Sequence, residues 1–394
     1  MQFDLSAEYE SFRAEVQSFL ESNRVETGDK QAYRSFRRKA IDAGYLLRNV
    51  PRKYGGSEQP PDPIRLMVID SEFRRAGMST LGPSGMVGES LLVPTLLAHG
   101  SDWQKETFIP PTLAGELKWS QGYSEPNTGS DLAALTTRAE LDGDEWVING
   151  QKIWSTDGAT ADYMFALVRT ELDERRHRGL SYFLIDLTTP GIVARPLEVM
   201  TGAAHFAEVF FDDVLVPVCN LVGARGDGWR VGNTTLSSER NAVGAAEDLM
   251  ESYESLIELV KGSKTASLDD PTVQDKLLSI EGYIEAHRLS GYRQLSAAAK
   301  GESGFPLGLM NKLSSTDLGE RMARLAAEVM GPDILVKAPT DDRPVTGDAK
   351  AEWRKRYYWA LGYSIAGGTS NIQKNIIAER VLGLPKDVRG DTQS

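Results

Sequence analysis

The stretch WSQGYSEPNTGSDLAALTTRAELDGDEWVINGQKIWSTDGA, residues 119–159, gathers the groups best suited to hold a polar, partly flat ligand. Within it, EPNTGSD is a turn-rich loop. Its successive backbone N–H groups and the hydroxyls of Ser124, Thr128 and Ser130 could wrap an anion as backbone nests do. Further along, Trp154-Ser155-Thr156 ends a strand-like run and offers an indole face and a hydroxyl to a flat ring. Taken alone, Trp154 reads as a half-buried strand aromatic. A second stretch, YSIAGGTSNIQ at residues 363–373, sets Gly367 and Gly368 before what reads as a helix start. Two glycines there imply either a left-handed turn or cap, or something bulky pressed against bare backbone.

Other chemistries lack their residues. The four histidines, at 99, 177, 205 and 287, are scattered with no cysteine cluster beside them, which argues against zinc or haem. No GxGxxG, GxxxxGK[ST] or GxSxG occurs, so dinucleotide-fold, P-loop and hydrolase readings have no support. Gly223, Gly226 and Gly228 cluster in a loop leaving a strand and read as a turn. Cys219 is the single cysteine; it reads as a packing residue in a reducing compartment. The 44 basic residues against 56 acidic ones, a net charge of -12, argue against nucleic-acid binding, so an anionic ligand would need a local basic pocket. No stretch approaches the about 18 apolar residues of a membrane span, and the acidic amphipathic N-terminus does not resemble a targeting segment. A soluble, cytoplasmic protein is expected.

The elements that must carry these residues change character twice. Over residues 1–118 the apolar positions recur at helical spacing, as in Phe12, Val16 and Leu20, then Leu66, Ile69 and Phe73. Over 119–228 short β-branched and aromatic runs take over, with Asp142-Gly143 and Asn149-Gly150 as turn pairs, which predicts a small antiparallel β-domain. Over 229–394 the helical period returns, with Asp270-Pro271 as a helix start and another helix around Ser314 to Met330. The expected fold is α+β, mainly α.

GYSEPNTGSD followed by INGQKIWSTDGA closely resembles the signature of the acyl-CoA dehydrogenase family, flavoproteins that oxidise acyl-CoA thioesters to trans-2-enoyl thioesters. HFAEVFFDDVLVP (205–217), NLVGARGDGW (220–229) and GGTSNIQKNIIAERVLGLP (367–385) continue the resemblance in order. It implies an N-terminal helical domain, a central small antiparallel β-domain and a C-terminal four-helix bundle. It also implies that FAD runs along Tyr123, Ser124, Gly129 and Ser130, that Trp154 packs on the flavin and that Thr156 bonds near its N5. Gly368, Thr369 and Asn371 would meet the FAD from the C-terminal segment, with Ser130, Arg240 and Gly367 toward the substrate.

In most of the family a glutamate just before the last Gly-Thr takes the proton from carbon α, and here that position is Gly367. The chain is similar instead to the isovaleryl-type branch, whose carboxylate precedes an arginine on another helix. LSSERNAVGAA supplies Glu239-Arg240 at that place, although alone Glu239 reads as an exposed first-turn glutamate. The implied mechanism has Glu239 remove the α proton while hydride leaves carbon β for flavin N5, with an electron-transferring flavoprotein as the acceptor of the electrons. The family's Arg-x-x-Phe-Gly segment is missing and its Gln-x-x-Gly-Gly is reduced to EVMGP, which keeps Gly331. This pattern looks like the bacterial subgroup containing subunits of α2β2 heterotetramers that act on steroid or bile-acid side-chain CoA thioesters; a homotetramer is the other expectation. Three further readings stand beside it: an acyl-CoA oxidase, a nitroalkane oxidase type enzyme, and a non-catalytic subunit that completes a neighbour's FAD site.

Overall fold

The computed structural model of the chain describes residues 5–25, 29–171, 176–242, 246–264, 266–302, 305–336 and 348–385. The side chains of residues 30, 237–242, 298 and 305–306 lie outside that description. Two compact units result, Met1–Val199 with Ala204–Glu239, and Met200–Ala203 with Arg240–Ser394.

The first unit opens with helix α1 (Ala7–Ser22), which buries the expected stripe of Phe12, Val16 and Leu20. Asp29 and Asp62 cap α2 (Lys30–Asp42) and α3 (Pro63–Arg75) by accepting first-turn N–H groups at 2.9–3.0 Å. The core face of α3 is Val68, Ile69, Glu72 and Phe73, so Leu66, expected there, stays 40% exposed. A π-helical turn (Met86–Leu92) leads into α4 (Val93–His99) and α5 (Asp102–Ala114).

Eight strands follow: β1 (Trp119–Gly122), β2 (Arg138–Asp142), β3 (Glu145–Thr156), β4 (Tyr163–Arg169), β5 (Leu180–Asp186), β6 (Ile192–Leu197), β7 (Phe206–Pro217) and β8 (Leu221–Val222). Their order is β6-β7-β3-β2-β4-β5-β8, with β1 beside β4. The sheet is antiparallel apart from β1 and β2, which run parallel to β4. Strands β4 and β5 are buried on both faces, which explains their continuous apolar runs. Phe165, Leu167 and Tyr182 share a core with Leu91, Leu92, Leu96 and Phe108 of the helices, while Met164, Ala166 and Phe183 face the cluster of Val209, Phe211 and Val214.

Asp142-Gly143 makes the expected hairpin, closing at Asp142 opposite Glu145 with Gly143 at φ 59°. Asn149-Gly150 does not. It lies inside β3 at a register shift, where a Cβ on Gly150 would sit 2.5 Å from Thr137 Oγ1, and Asn149 exchanges two hydrogen bonds with Asp213 at 2.9 Å. Close approach of Thr137, just before β2, and not a turn, requires this glycine. Cys219 is exposed and not a packing residue, because the short turn at Val218–Asn220 presents it outward.

Helix α6 (Gly228–Ala242) belongs to the first unit as far as Glu239. The second unit holds α7 (Ala246–Lys261), α8 (Pro271–Ala299), α9 (Phe305–Met330), α10 (Ala349–Tyr363) and α11 (Ser370–Arg380). Asp270 caps α8 by accepting from Thr272 N–H at 2.8 Å. Helices α7 to α10 enclose one core, with Leu256, Ile284, Leu318, Leu325 and Trp353 at its centre. No helix among the described residues is long and apolar enough to cross a membrane.

Candidate functional site

The EPNTGSD loop is knitted by one buried carboxylate. Backbone groups of Glu125 and Thr128 exchange hydrogen bonds at 2.9 and 3.0 Å, which closes the turn. Glu125 then accepts from Thr136 N–H at 2.7 Å, Thr136 Oγ1 at 2.8 Å and Thr137 N–H at 2.9 Å, so the far end of the loop returns onto it. Its last partner is Lys152 Nζ at 2.8 Å, on a side chain with no exposed surface. Burial alone would raise Glu125; the Lys152 charge and the donors from Lys152, Thr137 and Thr136 overcome it and bring the carboxyl down to about 2. Burial pulls the Lys152 ammonium down to about 8 against the opposing charge of Glu125. At neutral pH both groups are therefore charged.

Neither residue stood out in the sequence, yet a signal was present. Lys152 falls on the same inward parity of β3 as buried Trp146 and Ile148, and a lysine at such a position needs an acid within reach.

Parity would also turn Trp154 inward. Instead the strand bulges between Lys152 and Ser155, Trp154 adopts φ 59°, and its indole is 55% exposed with Phe206 edge-on at 6.0 Å. A non-glycine residue in this region costs about 1–3 kcal/mol, and such strain concentrates at functional sites. Ser124 is bound to this bulge through its carbonyl, which accepts from Ile153 N–H at 2.9 Å. Thr156, opposite Phe206 on β7, is half-buried. Tyr123 is buried edge-on against Phe165 and Tyr182, while Gly129 and Ser130 are exposed. Nothing lies within 4 Å of a Cβ built on Gly129. The buried hydroxyls of Thr128 and Ser155 have no partner among the described residues. A strained, exposed indole on a strand bonded to Ser124, followed in the same loop by the open backbone of Gly129 and the unpartnered hydroxyl of Thr128, fits a flat ligand with a polar arm.

In the second unit, Gly367 and Gly368 have φ of 61° and 92°. Backbone conformation alone thus calls for glycine at both positions. Thr369 caps α11, its Oγ1 accepting from Ile372 N–H at 3.2 Å, and Asn371 is exposed on the first turn. Buried Gln373 donates to Gly367 O at 3.3 Å from beneath. Glu239 and Arg240 lie on the last turn of α6; their side chains are among those outside the described residues.

Three family models match the chain in succession. They are described as acyl-CoA dehydrogenase N-terminal domain (residues 6–116), middle domain (120–214) and C-terminal domain (226–382). Among known proteins, the chain is 35% identical over 398 residues to acyl-CoA dehydrogenase IpdE1 of Mycobacterium tuberculosis, an alignment covering 97% of this chain and 99% of the relative. It is similar to the structure of the ChsE4-ChsE5 complex from Mycobacterium tuberculosis, with a TM-score of 0.78 and 28% identity over 98% of this chain and 100% of that one. The structure described as a Tcur3481-Tcur3483 steroid ACAD matches with a TM-score of 0.78 and 26% identity over 98% and 100% of the two chains.

Proposed function

Because the chain belongs to the acyl-CoA dehydrogenase family and is therefore an oxidoreductase acting on CH–CH groups, we propose that it converts an acyl-CoA thioester to its trans-2-enoyl form with Glu239 as base. The observation that carries this reading is Trp154, an exposed indole held in a strained backbone beside the EPNTGSD loop. The family is a flavoprotein family. FAD, when bound, supplies the acceptor for the hydride that leaves carbon β.

The chain's own residues do the rest. Trp154 gives the flat ring a packing face, and Tyr123, Ser124, Gly129, Ser130, Thr156, Gly368, Thr369 and Asn371 complete the cofactor-binding set. Thr369 uses its oxygen as an acceptor for Ile372 N–H, which leaves its hydroxyl hydrogen for a ligand. Glu239 takes the proton from carbon α, and Arg240, its neighbour, orients the site electrostatically. Ser130 and Gly367 lie toward the thioester. The division into domains 1–118, 119–228 and 229–394 belongs to the same reading, as does an electron-transferring flavoprotein as acceptor.

A narrower version is favoured by one further observation. Large apolar side chains stay exposed on the second unit, among them Leu335 at 81%, Ile365 at 69% and Leu382 at 65%, which suits burial against another chain. With the missing Arg-x-x-Phe-Gly segment and relatives described as a two-chain complex and a steroid ACAD, this supports a subunit of an α2β2 enzyme for steroid side-chain CoA thioesters.

Glu239→Gln is expected to lower kcat about 10²–10⁴-fold with FAD content unchanged, the size of effect usual for a general base. An unchanged rate eliminates Glu239. Steroid side-chain, branched and straight-chain CoA thioesters, assayed with an artificial electron acceptor, identify the acyl group, and flavin stoichiometry with and without a co-expressed partner settles the assembly.

A further inference from the structure

The mechanism above leaves a fully buried charge without a task. Lys152 Nζ reaches the Tyr123 carbonyl at 3.3 Å and Glu125 Oε1 at 2.8 Å, the two residues that flank Ser124. The Ser124 carbonyl itself accepts from Ile153 N–H at 2.9 Å. Three successive loop residues therefore meet two successive strand residues, and the next residue of the strand is Trp154. Thr137 N–H shares Oε1 of the Glu125 carboxylate with Lys152, and Thr136 donates twice to Oε2, so the carboxylate also holds the end of the loop. Arg169 braces the same loop, donating to Leu135 O at 3.1 Å and Ala133 O at 2.9 Å.

We propose that the Glu125–Lys152 pair is a positioning device, fixing the loop that carries Ser124 against the bulge that exposes Trp154 and so setting the spacing a flat cofactor meets. This rests on the flavin reading above. Stability is a poor reason to bury such a pair, since apolar groups of similar volume are often as stable or more so. Geometry is a better one. A lysine in the floor of β3 spans to two loop acceptors at once, whereas an apolar pair would let the loop slide. The charges of both partners at neutral pH agree with this arrangement.

The experiment compares Glu125→Gln, Lys152→Met and the double variant in the full chain. Three quantities are read: the thermal midpoint, the affinity of the FAD-free protein for FAD, and acrylamide quenching of Trp154, taken as the difference from a Trp154→Phe background. Each single variant leaves a buried polar group unbalanced, so both are expected to melt lower and bind FAD more weakly. The double variant removes both charges and is expected to regain the wild-type midpoint while binding FAD at least about tenfold more weakly, with altered Trp154 quenching. A merely structural pair would recover affinity along with stability, so wild-type FAD binding by the double variant overturns the proposal. Unaltered Trp154 quenching overturns it as well. If the wild type binds no FAD either alone or with a co-expressed partner while Trp154 quenching responds to the substitutions, the positioning role is supported and the flavin reading fails.

Discussion

Each unit contains a buried lysine that holds the carbonyl of a tyrosine opening a glycine-bearing segment. In the first, Lys152 donates to Tyr123 O; in the second, Lys312 donates to Tyr363 O at 2.6 Å and to Thr316 Oγ1 at 3.1 Å. Beyond the tyrosine the two diverge. Residues 124–137 are gathered around the Glu125 carboxylate, and Gly129 has an ordinary φ with open space around it. Residues 367–373 are held by neutral groups, the Thr369 cap and the Gln373 amide, and both glycines sit at positive φ. Glycine in the second segment answers a demand of the chain's own backbone, whereas at Gly129 no such demand exists. The same residue type, equally prominent in the sequence, thus has two physical causes.

Acid should separate the segments most strongly. Glu125 is lowered from 4.5 to about 2, so the stability it contributes is fully present above pH 4.5 and lost as pH falls through about 2. By linkage the loss is progressive across that window. Lys152, lowered from 10.5 to about 8, acts at the other end: the folded chain releases that proton first, so its contribution rises between pH 8 and 10.5. After correction for intrinsic exchange rates, the amides of Thr136 and Thr137 are expected to lose protection toward acid while that of Ile372 does not. Parallel behaviour of the three amides would dissolve the contrast.

Gly368→Ala probes the backbone demand with the next largest effect. A Cβ there would face φ 92° and lie 2.7 Å from Gln373 Nε2, a side chain with 1% exposure and little room to yield. A loss of about 2 kcal/mol is expected, from the left-handed backbone and the displaced amide together, measured by denaturant unfolding.

How far the sequence revealed these differences depends on the range of the interaction. Phe12, Val16 and Leu20 repeat within one helix, and Asp142-Gly143 is a turn in itself, so both were legible. The motifs that contain Trp154 and Thr369 are likewise short local runs of sequence. Asn149-Gly150 was misread because its glycine answers to Thr137, the residue before β2, and the exposure of Trp154 depends on a bulge set by pairing with β7. The link from Lys152 to Glu125 closes through a loop of 27 positions, beyond any local pattern. What the chain does at short range can be read from its order; what strands impose on one another cannot.

Gly129→Ala should have the smallest effect on the fold and the most telling one on the ligand. With an ordinary φ and nothing within 4 Å of the new methyl, stability should change by no more than about 0.5 kcal/mol. If the glycine is there because a cofactor's polar arm lies against bare backbone, the same methyl intrudes on that arm and FAD affinity falls while the melting curve of the FAD-free protein stays in place. A drop in both would mean that the loop itself needs the glycine, and unchanged FAD binding would remove Gly129 from the cofactor-binding set, leaving Trp154 and Ser124 to define that edge of the site. The contrast with Gly368, where stability should fall before any ligand is added, makes the pair of variants a direct reading of which glycine the backbone itself requires.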